Sequence, residues 1–106
     1  MPKYLVQASY TQQGAEGVKS AGGSSRRDAV AAACESVGGK LESFHFAFGD
    51  ADAYVICDLP SNEAATALAL SVNAAGGASA KTIVLLTPEE VDAATQQSAD
   101  YRAPGN

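Results

Sequence analysis

Tryptophan is missing from this chain of 106 residues, histidine occurs once, cysteine twice and phenylalanine three times. Each shortage excludes something. A single histidine, His45, cannot assemble a metal centre from one chain, and no metal or cofactor is expected. Cys34 and Cys57 fall inside an expected helix and an expected strand, with neither CxxC nor metal spacing. They read as small buried apolar thiols in a reducing compartment. Basic residues are also few, 7 against 12 acidic, for a net charge of −5. An acidic chain without a basic stripe repels phosphate, so nucleic acid is not an expected partner. No apolar run approaches the ~20 residues of a membrane span, and Met1-Pro2-Lys3-Tyr4-Leu5-Val6 enters a strand pattern at once, without signal-peptide architecture. The expectation is a cytoplasmic protein with no membrane partner. Neither GxxxxGK[ST] nor GxGxxG occurs, and no glycine-flanked serine elbow accompanies the histidine, so phosphate-loop and triad chemistry are excluded.

What is abundant is small. The chain holds 22 alanines and 10 glycines, side chains that bury little area each, so the core must be thin. A domain of this size with such a core gains stability by burying a further face against a second copy. One domain over residues 1–97 is expected, followed by a polar tail over 98–106.

Alternation marks Lys3 to Tyr10 as a strand, with Tyr4, Val6, Ala8 and Tyr10 on one face and Leu5, Gln7 and Ser9 on the other. Thr11 caps a short helix over 12–20, which Ala21-Gly22-Gly23 breaks. Ser25 and Asp28 have capping-box spacing and open a better helix, with Val30, Cys34 and Val37 as its apolar stripe. Gly38-Gly39 stops it. Strands follow over 40–48 and 52–59, joined at a Gly49-Asp50-Ala51 turn. Pro60-Ser61-Asn62 starts a helix with Ala65, Leu68, Ala69 and Val72 inward, and Ala80 to Leu86 is the fourth strand. Thr87-Pro88-Glu89-Glu90 opens a short C-terminal helix. The order β-α-β-β-α-β predicts an α+β, ferredoxin-like fold: a four-stranded antiparallel sheet with its main helices on one face.

The hairpin over 44–58 decides what each face carries. With Asp50-Ala51 as the loop, Gly49 pairs with Asp52, Ala47 with Tyr54 and His45 with Ile56. Phe44, Phe46, Phe48, Ala53, Val55 and Cys57 then face the helices. Leu41, Ser43, His45, Ala47, Tyr54 and Ile56 face away, joined by either Leu5, Gln7 and Ser9 or the Tyr4 series, depending on register. That second face is too apolar to stand in water, and pairing it with a copy gains roughly 25 cal/mol per Å² of apolar area. Either a dry homo-oligomer interface or a ligand-lined cavity results.

From Tyr4-Leu5-Val6 through Tyr10-Thr11-Gln12-Gln13-Gly14, Gly38-Gly39-Lys40-Leu41 and Phe46-Ala47-Phe48-Gly49-Asp50-Ala51-Asp52 to Thr87-Pro88-Glu89-Glu90, the chain resembles the bacterial and archaeal GYD-domain proteins. The resemblance implies a dimeric α/β barrel of the ferredoxin-like superfamily, with no assigned biochemical role. Two departures stand out. The family's turn tyrosine is Ala51 here, and His45 stands where an aromatic residue, often tyrosine, is expected.

Two functional readings follow. In the first, the chain is a small homo-oligomeric domain that binds a small molecule or a protein partner, with Gln7, Ser9, His45, Asp52 and Tyr54 as candidate ligand contacts. In the second, it is a cofactorless barrel enzyme, an isomerase, cyclase or small monooxygenase, with His45 as general base and Tyr54 and Tyr10 orienting the substrate. Each residue has a plainer role. His45 suits a packed interface, Asp50 and Asp52 suit turn hydrogen bonds, and both tyrosines suit amphipathic packing. Arg26, Arg27 and Lys19 suit either an anion site or a solvated helix end.

Overall fold

In the computed structural model, which describes residues 1–105, the alternating segment Lys3–Tyr10 forms strand β1. Thr11 accepts a hydrogen bond from the Gly14 N–H and caps α1, Gln12–Ala21. Gly22, at φ +92°, turns the chain directly into α2, Gly23–Ser36, and contributes no capping side chain. This corrects the expected start at Ser25. The glycine break is one residue long, so the second helix begins two residues early. Strands β2 (Lys40–Phe46) and β3 (Ala53–Asp58) follow, then α3 (Asn62–Ala75), β4 (Ala78–Leu85) and α4 (Pro88–Ala94).

The four strands form one antiparallel sheet in the order β2-β3-β1-β4, an α+β fold compatible with the ferredoxin-like arrangement. Helices α2 and α3 cover one face. There Tyr4, Val55 and Cys57 pack with Cys34 from α2, Ala65 and Leu68 from α3, and Leu59. The core is thin, as the composition requires: Tyr4, Leu59 and the two cysteines are its largest fully buried side chains. Tyr4 is tolerated there because its hydroxyl donates to Asn62 Oδ1 at 2.6 Å. The two thiols are free and meet at 3.4 Å between sulfurs.

The hairpin differs from expectation in two ways. Its loop is longer: β2 ends at Phe46, and the Ala47 N–H donates to the Asp52 carbonyl at 2.8 Å. His45 therefore pairs with Tyr54 and Ser43 with Ile56, and Phe48 stands in solvent instead of facing the helices. Second, the ladder slips between Leu41 and Ser43. With Glu42 as the extra residue of this bulge, the alternation resets. Leu41 joins the helix-covered core instead of the open face.

Past Leu85 every described residue is exposed. Helix α4 has the full Thr87/Glu90 capping box yet packs extensively against no element of the body. The molecule measures 55 × 34 × 22 Å with a radius of gyration of 16.7 Å, against about 13 Å for a compact chain of this length. The tail expected over 98–106 is described as far as Gly105 and carries no helix or strand; Asn106 lies outside the described residues.

Candidate functional site

Register turns the open face of the sheet into cross-strand rows. Ser43 lies beside Ile56, Ile56 beside Leu5 and Leu5 beside Ile83, an apolar row interrupted only at its β2 end. Directly alongside it runs His45, Tyr54, Gln7 and Lys81, each opposite the next. This polar row crosses all four strands, with neighbours about 4.5–5.5 Å apart. The following row brings Ser9 opposite Ser79. On the far side of the apolar row, Lys40, Asp58 and Lys3 form a charged border. Lys3 Nζ bonds Glu42 at 2.6 Å and Asp58 at 2.9 Å. The Lys3 hydrogen bond holds the Asp58 carboxyl below its ordinary range, and Glu42 and Asp58 together raise the Lys3 ammonium.

Sequence reasoning singled out Gln7, Ser9, His45 and Tyr54, and all four stand on this open face. It did not name Lys81. The signal was available, because Lys81, Ile83 and Leu85 alternate with Ala80, Thr82 and Val84. What was missing was the β1–β4 register that sets Lys81 against Gln7. Between them, Gln7, Ser9, Asp50, Ala51, Ser79 and Lys81 line a cavity of about 90 Å³. Lys81 and Asp50 make no ion pair among the described residues, so both charges are available to a bound group.

Tyr10 and Asp52 part company with this set. Tyr10 belongs to the Tyr4 series on the helix-covered face, beside Phe46 with ring centroids 6.3 Å apart. Phe46 in turn meets Phe44 edge-on at 5.0 Å. The expected trio of His45, Tyr54 and Tyr10 is thus divided by the sheet itself, since adjacent positions on a strand point to opposite sides. Asp52 is engaged in the backbone. Its carboxylate accepts from the Tyr10 N–H at 2.9 Å, and its own N–H donates to the Ala8 carbonyl at 2.8 Å. It ties the hairpin loop to the end of β1.

What remains on the open face is an imidazole beside a phenol, then an amide and an ammonium. These groups donate and accept hydrogen bonds next to an apolar stripe, the usual composition of a site that orients a small polar ligand. Among the described residues no group of three or more His, Cys, Asp or Glu side chains is placed to hold a metal ion, and no helix is long and apolar enough to cross a membrane.

No curated protein and no solved structure gives a significant match to this chain. A family model does match, over residues 4–95, from the start of β1 to the end of α4, and its description is the GYD domain. With most of the chain covered by that match, the protein belongs to the GYD-domain family.

Proposed function

We propose that this protein is a homo-oligomeric ligand-binding domain in which two copies pack sheet to sheet over the open face and enclose the polar row between them. The observation that carries this reading is the pairing of rows: an apolar stripe of Leu5, Ile56 and Ile83 beside a polar stripe of His45, Tyr54, Gln7 and Lys81. The apolar row supplies the driving force for association, and the polar row supplies the contacts that fix a ligand. Two facing sheets sit about 10 Å apart when dry, which brings the polar rows of the two copies within reach of one bound ligand.

Area argues for a second contribution. Four strands of this length give a face of roughly 450 Å² in projection, below the ~800 Å² per partner of a standard stable interface. Helix α4, fully formed and barely packed, supplies the balance by lying against the other copy. Its Val91 and the preceding Leu86 are exposed apolar side chains suited to that contact.

Light scattering tests the reading. The 10.7 kDa chain is expected to run as a dimer or higher oligomer, and Ile56→Arg is expected to return a folded monomer. A wild-type monomer at micromolar concentration ends the proposal. Native mass spectrometry of protein from its own host then reads the ligand, with binding expected to weaken in Lys81→Met and Tyr54→Phe. Among the described residues no hydrogen bond orients the His45 ring, as a general base would require, which favours binding over catalysis. Turnover abolished by His45→Ala in an otherwise intact oligomer would reverse that preference.

A further inference from the structure

A second cavity lies on the other side of the sheet from the polar row. It has a volume of about 360 Å³ and opens between α1, α2 and the end of α3, a size at the small end of known ligand pockets. Three features of its wall run against local preference, and all three meet there.

The first is Gly17, in the middle of α1, where glycine weakens a helix relative to alanine. Gly14, one turn earlier, has a reason to be glycine: a Cβ there would lie 1.8 Å from the Gly77 carbonyl oxygen. Gly17 has no such neighbour within 4 Å and no positive φ. Gly17 lines the cavity, with open space where a Cβ would stand. The second is Arg26, in the first turn of α2, where the helix dipole is positive and a carboxylate would be the favoured side chain. Neither an acidic first-turn residue nor a side-chain cap offsets it. Arg27 pairs with Asp28 at 3.2 Å, whereas Arg26 has no ion pair among the described residues. The third is Tyr10, half-buried at the cavity wall, whose hydroxyl has no hydrogen-bond partner among the described residues. Burial pushes its phenol up while the Arg26 charge draws it back, so the two groups sense each other. Conflicts between local preference and global structure concentrate where a site is built.

We infer that this cleft binds a small organic monocarboxylate, its carboxylate on Arg26 and the Tyr10 hydroxyl and its apolar body against Val18, Ala29 and Val72. The charge follows from the count of cations at the wall. One unpaired guanidinium matches one negative charge, and a chain of net charge −5 does not favour a dianion. The geometry follows from chemistry, since guanidinium and carboxylate form two parallel hydrogen bonds. The body follows from the walls, which beyond Arg26, Tyr10, Gln13 and Ser25 present only aliphatic carbon and glycine backbone. The site lies on the helix side of the sheet and stands independently of the pairing of open faces.

Titration of ¹⁵N-labelled full-length protein with 4-phenylbutyrate tests this. Saturable shifts are expected at the amides of Gly14, Gly17, Gly22 and Gly77, and not along Leu5, Gln7 or Tyr54. Arg26→Gln and the neutral isostere 4-phenylbutanol should each weaken binding about tenfold, the worth of one charge-assisted contact. Gly17→Leu, which fills the cleft from a position with free space, should abolish the shifts in a protein that remains folded and melts no lower than wild type. The inference is overturned by the absence of saturable shifts up to about 10 mM ligand, by Arg26→Gln binding as tightly as wild type, by inorganic phosphate competing equally well, or by shifts centred on the open face.

Discussion

The two faces of the sheet are built from the same four strands yet obey different rules. The covered face combines small apolar side chains, Ala8, Ala53, Val55, Cys57 and Ala80, with larger ones, Tyr4 at its buried centre and Tyr10, Phe44 and Phe46 toward one end. Two helices close over it, and no buried side-chain nitrogen or oxygen among the described residues lacks a partner. The open face sorts its residues by row: charged, apolar, polar. A covered face needs only volume and hydrophobicity, so its residues are interchangeable within limits. A face sorted into rows carries information about what lies against it.

The sharpest way to break this comparison is to make one substitution on each side. Leu68→Ala, in α3 over the covered face, should cost about 2–5 kcal/mol at any protein concentration, read by chemical denaturation. That is a large share of the ~5–15 kcal/mol typical of a domain. Leu5→Ala, on the open face, should cost an amount that grows with protein concentration if, as proposed, its burial comes from association. Equal, concentration-independent losses would erase the distinction between the faces.

A smaller effect is expected from Asp52→Ala at the edge the two faces share. Its carboxylate is the acceptor for the Tyr10 N–H, and losing it should cost roughly 1–3 kcal/mol. Hydrogen exchange should quicken at Tyr10 and Ala47 before it does in the core. If stability is unchanged, the loop is held by something other than this carboxylate.

How far these faces could be read from the chain depends on whether the deciding contact is local. The Thr87/Glu90 box, the Gly38 and Gly76 stops and the inward stripe of α3 are local signals, and each stands in the structure where alternation or capping chemistry places it. Leu41 was misassigned because a bulge at Glu42 leaves no compositional mark, and one extra residue inverts every side chain beyond it. Phe48 was misassigned because the loop runs from Ala47 to Asp52, held by backbone bonds no pattern announces. The polar row and the meeting of Cys34 with Cys57 rest on registers between distant segments. Those emerge only when the sheet is assembled.

The smallest expected effect concerns pH at the charged border of the open face. The Asp58 carboxyl lies below its ordinary value of 3.8, held there by Lys3. Its contribution is therefore complete above that value and is lost as pH falls through the lower folded one. Lys3 lies above its ordinary 10.5, so its share is complete below that value and is lost as pH rises through the folded one. Stability should be flat with respect to this cluster between those limits, and Lys3→Met should remove both limbs. Asp58 is buried, but Lys3 and Glu42 are solvent-exposed, so the change is small and weakens further in salt.

The most direct measurement of the central claim is an isotope-filtered NOE experiment on an equimolar mixture of labelled and unlabelled protein. If the open face is closed by a second copy, methyl groups of Leu5, Ile56 and Ile83 in labelled chains will show contacts to protons of unlabelled ones. A well-dispersed spectrum with no such contacts, from a particle with the mass of one chain, would contradict it.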